Sequence, residues 1–212
     1  MKILIVPAII AQTQHELDEM LENVPILARR VQLDVMDGIF VPNTSLNFPF
    51  ELPPNGFEYE AHLMMENPLD WVEENAHKVD IVLLHVETLT DIDMAINAVK
   101  MKDTKIGLAV VPKTPNEVII PHLSKLDELL MMTVVPGSYC KGEEEFSHVS
   151  LEKIKQIRKI NKTIPIEVDG CVDLKTVRLA KDAGANIFAS GSFIIKSSDP
   201  ERAIKELENA VM

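Results

Sequence analysis

Val31-Gln32-Leu33-Asp34-Val35-Met36-Asp37-Gly38 reads as a buried β-strand running into a tight turn. Side chains alternate between the two faces of a strand, so Gln32, Asp34 and Met36 share one side and Leu33 and Val35 the other. The second side is purely apolar and suits packing against a helix. The first carries an ionisable group on an otherwise buried strand. Such a charge is costly unless it is paired or put to use. What faces Asp34 therefore decides how the chain is read.

Outward from this stretch, one alternation runs from end to end. Short β-rich runs fall at Ile3–Ile10, Val31–Met36, Tyr59–Met64, Ile81–Val86, Lys105–Val111, Leu129–Val135, Ile164–Val168 and Ile187–Ala189. Helical patterns lie between most of them: Gln14–Leu27, Pro68–His77, Thr90–Met101, Pro115–Leu123, Ser150–Ile160, Asp173–Ala183 and Pro200–Val211. Ser150–Ile160 shows the pattern clearly, with Leu151, Ile154, Ile157 and Ile160 on one stripe and basic residues opposite. Asn67 before Pro68 and Asp199 before Pro200 read as helix caps. Gly184 reads as a C′ glycine. The connection Phe40–Phe57 holds four prolines and no amphipathic helix, so it reads as an ordered loop. Eight strand–helix units predict a parallel sheet closed into a (β/α)8 TIM barrel, one α/β domain over residues 1–212. An open doubly wound sheet is the alternative, but no glycine-rich dinucleotide loop follows the first strand.

Bulk properties narrow the function. A formal net charge of -12 argues against nucleic acid and against an anionic membrane surface as partners. It leaves room for a small anionic substrate, because backbone N–H groups bind phosphate even in an acidic protein. No apolar run reaches the ~20 residues that span a bilayer, and the N-terminus lacks the pattern of a signal peptide. Two cysteines, Cys140 and Cys171, are too few for a disulfide scaffold; they read as incidental thiols in a cytoplasmic protein.

In a barrel of this kind the chemistry sits at the C-terminal ends of the strands. Those ends supply Gln32, Asp34 and Met36; Glu60, His62 and Met64; His85 and Glu87; and Glu167 and Asp169. Asp34 and Asp169 come from the second and seventh strands, roughly across the barrel, with His62 at similar height. Two Asp and one His can hold a divalent cation, with the Gln32 carbonyl as a neutral fourth ligand. The same two Asp can act as an acid/base pair on opposite faces of a flat substrate. Gly170-Cys171 and Gly191-Ser192 follow strands seven and eight, where barrels commonly bind phosphate through backbone N–H groups. Met36, Met64 and Met132 read equally as core filler. His85 and Glu87 read as structural, and His15, His77, His122 and His148 as surface residues.

The ordered set of strand ends resembles the ribulose-phosphate 3-epimerase family. Asp34-Val35-Met36-Asp37-Gly38 with Phe40-Val41-Pro42-Asn43 is the long, specific motif. His62-Leu63-Met64, His85-Val86-Glu87, Met132-Thr133-Val134-Val135-Pro136-Gly137, Glu167-Val168-Asp169-Gly170 and Ser190-Gly191-Ser192 follow in the family's order, over essentially the whole chain. The resemblance implies an isomerase that interconverts ribulose 5-phosphate and xylulose 5-phosphate through an enediolate, with the two Asp moving the C3 proton. It implies a divalent cation (Zn, Mn, Mg or Fe) held by Asp34, Asp169 and His62. It also implies methionine walls from Met36, Met64 and Met132, and a homo-oligomer. Ala8, Gly170, Cys171, Gly191 and Ser192 fall at substrate-binding positions.

This chain departs from the family pattern at five places around one site. Gln32 stands where the family has a metal-binding His, Ala8 where it has Ser, and Val135 where it has Asn. Cys171 replaces a second glycine. Ser138–Phe146, with Glu143, Glu144, Glu145 and Lys141, replaces a glycine-rich phosphate loop. Three further readings therefore stay open. One is a hexulose-6-phosphate epimerase or related sugar-phosphate isomerase. Another is a metal-independent epimerase. The third is a non-catalytic relative that binds a sugar phosphate or a partner.

Overall fold

The computed structural model describes residues 1–54, 56–138 and 146–212. Nine strands occur among them: β1 (Leu4–Ile9), β2 (Arg30–Asp37), β3 (Thr44–Ser45), β4 (Glu58–Met64), β5 (Ile81–His85), β6 (Lys105–Val110), β7 (Glu128–Met132), β8 (Ile166–Asp169) and β9 (Ile187–Ser190). All but β3 pair in parallel, and β1 pairs with both β9 and β2, which closes an eight-stranded barrel. The helices are α1 (Gln14–Asn23), α2 (Pro68–Asn75), α3 (Ile92–Lys100), α4 (His148–Ile160), α5 (Thr176–Ala183), α6 (Ser192–Ile195) and α7 (Pro200–Val211). No helix among the described residues is long and apolar enough to cross a membrane.

Local chemistry explains where the helices start and stop. The Thr13 hydroxyl accepts from Glu16 N–H at the start of α1, and Asp199 accepts from Arg202 N–H at the start of α7. Pro25 lies just beyond α1 and cannot extend it, so the helix ends at Asn23, short of the expected Leu27. Gly184 ends α5 in the left-handed region, at φ 117°.

The expected helix over Pro115–Leu123 is a correction: the segment forms two 3-10 turns, Asn116–Val118 and Ile120–Lys125. Pro121 lacks an N–H, its ring clashes with the carbonyl one turn back, and it disfavours helical geometry at Ile120. Short 3-10 turns tolerate this where a longer α-helix does not.

The strands bury two different faces. Val31, Leu33 and Val35 point outward into the apolar layer beneath the helices, together with Leu17, Leu21, Ile154 and Leu207. Each such fully buried side chain contributes about 1.5–3 kcal/mol. That layer offsets a barrel interior that is polar on this strand, where Arg30, Gln32 and Asp34 are all buried. Parallel register sets their heights: Gln32 lies beside Glu60, Asp34 beside His62, and Met36 beside Met64. Met132 lies beside Asp169 on the far wall.

The proline-rich connection folds back over the barrel mouth. β3 pairs antiparallel with the end of β2, Met36 opposite Ser45. The Ser45 hydroxyl accepts from Ala11 N–H at 3.0 Å and donates to Ala11 C=O at 3.2 Å. The Asn43 side chain donates to Gly137 C=O at 2.8 Å, which ties this loop to the segment after β7. Gly137 is required at that crossing. Its φ is 76°, and a Cβ there would stand 2.7 Å from Val41 Cβ.

Candidate active site

Asp34, His62 and Asp169 converge at the C-terminal end of the barrel. One ligand atom from each lies within 4.8 Å of the other two. His62 Nδ1 is 3.2 Å from Asp34 Oδ1 and 3.3 Å from Asp169 Oδ2. Gln32 completes the group. Its Nε2 donates to Asp34 Oδ1 at 2.7 Å and to Asp169 Oδ2 at 3.0 Å, and stands 3.5 Å from His62 Nδ1. The Gln32 carbonyl oxygen is buried and has no hydrogen-bond partner.

The electrostatics follow from this packing. Burial raises the Asp34 carboxyl above the usual range and the Asp169 charge adds to it, while hydrogen bonds from His62 and Gln32 work against both. Burial alone would lower His62. Its hydrogen bonds to Asp169 and Asp34, and their charges, outweigh burial and hold it at about 9. An imidazolium at His62 donates from Nδ1 to the carboxylates and from Nε2 to His85 Nε2, 2.9 Å away. His85 must then accept there, so it is neutral. Burial and the neighbouring His62 charge lower it to about 4. His85 Nδ1 faces Glu87 Oε2 at 3.1 Å, and Glu87 Oε1 accepts from Val111 N–H at 3.0 Å. His85 and Glu87 therefore form a buttress that fixes the His62 ring, a structural role with a direct line to the site.

Asp34, Asp169, Met36, Met64, Met132 and Gly170 line one cavity of about 80 Å³, with Ile10, Asn43, Val134, Gly137 and Ser138. Ala8, Cys171, Gly191 and Ser192 do not line it. Ala8 is buried on β1 beside Gly191, and Ser192 is exposed at the first position of the four-residue α6. Gly170 (φ 109°) and Cys171 (φ 51°) both take left-handed geometry after β8. A Cβ at Gly170 would meet Val134 Cγ2 at 2.5 Å. Cys171 is disulfide-bonded, which corrects its reading as an incidental thiol. Cys140, with Lys141 and Glu143–Glu145, lies outside the described residues. Asp37 holds the turn: its carboxylate accepts from the N–H groups of Ile39, Phe40 and Glu66. His122 is half-buried against Asp93 and is not a free surface residue.

A second carboxyl cluster, Glu60, Glu128 and Glu167, lies lower in the barrel. Arg30 occupies it, with Nη1 2.8 Å from both Glu60 Oε2 and Glu128 Oε2, and Nε 2.9 Å from Glu58 Oε2. Burial and the neighbouring carboxylates push Glu60 up to about 8 and raise Glu167 well above its ordinary value. With a guanidinium in place, this cluster is a charge network under the site. The upper group, with two carboxylates, an imidazole and an orphaned amide oxygen, has the donor set of a divalent-cation centre.

A family model described as "Ribulose-phosphate 3 epimerase family" matches residues 4–195. The chain belongs to the ribulose-phosphate 3-epimerase family. Membership makes it an isomerase. It is similar to the ribulose-phosphate 3-epimerase of Schizosaccharomyces pombe, 36% identical over 86% of this chain and 82% of the relative. The corresponding enzyme of Bacillus subtilis is 34% identical, over 85% of this chain and 86% of the relative. Among solved structures, KGPDC from Streptococcus mutans superposes with a TM-score of 0.72. At 12% identity, covering 99% of this chain and 97% of that one, it shows the shared barrel alone.

The strand-end reading brought Asp34, His62, Asp169 and Gln32 together as expected. It did not reach Asn43–Gly137 as a tie across the mouth, nor Ile10 and Val134 as cavity walls. It placed Glu60 and Glu167 on inward faces but gave them no partner. The opposing Arg30 is the first residue of β2, and its guanidinium stands out in sequence only once the barrel is closed.

Proposed function

We propose that this chain inverts the configuration at C3 of a ketose phosphate, with ribulose 5-phosphate and xylulose 5-phosphate as the favoured pair. The observation that carries this is the meeting of Asp34, Asp169 and His62 at the mouth of the barrel, walled by three methionines. One Asp carboxylate takes the C3 proton, the C–H electron pair becomes the C2–C3 double bond, and the π pair of the C2 carbonyl moves onto its oxygen to give an enediolate. The other Asp, protonated, returns a proton to C3 from the opposite face. Two carboxylates this close disfavour double ionisation. The raised Asp34 carboxyl fits the member that holds the proton. Met36, Met64 and Met132 offer an apolar, adaptable wall to a planar intermediate and keep water from it.

Asp34, Asp169, His62 and the Gln32 carbonyl would hold a divalent cation (Zn, Mn, Mg or Fe). Such a cation supplies Lewis-acid stabilisation of the charge that develops next to the ketone. On this reading the phosphate binds at Gly170, Cys171, Gly191 and Ser192, beyond β8 and β9, with Ala8 beneath. On the same reading the enzyme works in the cytoplasm as a homo-oligomer. A second reading, metal-independent epimerisation, is favoured by one contact: Gln32 Nε2 already donates to both carboxylates.

Asp34→Asn keeps the shape of the side chain and removes its proton chemistry. General acid–base groups contribute about 10²–10⁴-fold, so epimerisation falls by at least that much while the circular dichroism spectrum is unchanged. A folded Asp34→Asn variant with full activity would sink the proposal. Activity that survives exhaustive chelation would select the metal-independent reading.

A further inference from the structure

Gln32 brings two chemically opposite ends to the group formed by Asp34, His62 and Asp169. Its N–H₂ group sits between the carboxylates of Asp34 and Asp169, at 2.7 and 3.0 Å, and its carbonyl oxygen is buried without a partner. The two carboxyl oxygens it meets, at least one of them anionic, select the N–H₂ end, because a carbonyl oxygen in that place would face two acceptors and offer neither a hydrogen. A divalent cation among the same oxygens reverses the preference: it attracts the carbonyl and repels the N–H₂ hydrogens. The side chain is fully buried, so neither end can turn to bulk water instead.

Rotation about the bond to the carboxamide group exchanges nitrogen and oxygen with almost no change of shape. In the cation-free site the swap is opposed by the loss of both hydrogen bonds to the carboxyl groups, at least one of them charge-assisted. With a cation bound it gives the carbonyl oxygen a partner for the first time.

Resting on the metal-assisted reading above, we propose that Gln32 is a rotating placeholder that sets metal preference. Without a cation its amide nitrogen bridges the two catalytic carboxylates; with one, the carboxamide turns over and its oxygen becomes a ligand. An amide oxygen is a hard, neutral donor, so this ligand set selects Mn or Mg relative to a site with imidazole at the same position. The same bridge keeps the two carboxylates in register when the cation is absent, so the site does not collapse between loadings.

The test combines a selectivity measurement with a direct view of the amide. Calorimetric titration of the full chain with Mn²⁺, Mg²⁺ and Zn²⁺ is compared for the natural protein, Gln32→His and Gln32→Leu, with Asp34→Asn locating the site. In parallel, the Gln32 side-chain ¹⁵N–H₂ resonances are followed as Mg²⁺ is added. Expected are protected, shifted amide protons in the metal-free protein that lose both properties when Mg²⁺ binds. Gln32→Leu weakens Mn²⁺ binding by roughly 10-fold or more, the scale of losing a supporting metal contact. Gln32→His moves the Zn²⁺/Mn²⁺ ratio toward Zn²⁺ by a similar factor.

Binding that Asp34→Asn abolishes, with Gln32 resonances unmoved by Mg²⁺ and Gln32→Leu binding Mn²⁺ as the natural protein does, overturns the role of Gln32 and leaves the metal centre standing. Binding that Asp34→Asn does not weaken, or no binding at all, removes the metal centre and this proposal with it. The resonance measurement needs no variant, so a poorly folded Gln32→Leu does not block the test.

Discussion

Replacing Arg30 by methionine tests the charge network beneath the site. Arg30 is buried, and it is the cation bonded to both Glu60 and Glu128 at 2.8 Å. Removing one partner of a buried ion pair costs about 3–5 kcal/mol, because the remaining charge is left without compensation. For a chain of this size that lowers Tm by roughly 6–20 °C. The loss also depends on pH, with a defined sign.

Glu60 is raised to about 8 in the folded protein. Its stabilising contribution is therefore complete below the unfolded carboxyl value and is lost as pH rises through about 8. Arg30 is one of the groups that pull Glu60 down, so its removal makes this tier hold protons more tightly. Each additional carboxyl that keeps its proton when folded and loses it when unfolded steepens the decline by ~1.4 kcal/mol per pH unit. Between about pH 5.5 and 8.5, one such carboxyl makes Arg30→Met lose ~4 kcal/mol more than the natural protein. Urea unfolding of both proteins at the two pH values measures it. A penalty that is the same at both would refute the account of the tier as a set of carboxyls held by one guanidinium.

Three further outcomes follow from named contacts. Gly137→Ala drives a Cβ to 2.7 Å from Val41 at a positive φ, so it lowers thermal stability by about 1–3 kcal/mol and raises KM through the displaced mouth; scanning calorimetry and steady-state kinetics read both. Asn43→Leu removes the tie to Gly137 C=O and raises KM more than it lowers kcat, whereas an equal fall in kcat and kcat/KM would show that Asn43 acts in the transition state. Glu87→Gln unseats His85 and thereby the His62 ring, and lowers turnover about 10–100-fold without touching the cavity; an unchanged rate would remove the buttress from the account.

Much of this arrangement was legible before the structure, for reasons that differ from residue to residue. Asp34, His62 and Asp169 could be matched because strand alternation fixes a face and barrel geometry fixes an end. Closure of the barrel, through β1 pairing with β2 and β9, turned those ends into one site. The Pro115–Leu123 segment misled because its apolar spacing is helical while Pro121 is not compatible with the helix interior. The Arg30 network was out of reach: Arg30 and Glu128 are 98 positions apart, and nothing local marks them as partners. Gln32 was visible as a departure from the family, but the orientation of its amide, nitrogen toward both carboxylates, emerges only when both walls of the barrel are in place.

The central claim is that Asp34 and Asp169 exchange the C3 proton of a ketose phosphate. Incubation with ribulose 5-phosphate in deuterated water, with and without added Mg, Mn, Zn or Fe, measures it directly by following deuterium at C3. The account predicts that xylulose 5-phosphate forms with deuterium at C3, and that the signal is absent in Asp34→Asn. Folded, metal-supplied protein that leaves C3 undeuterated would contradict it.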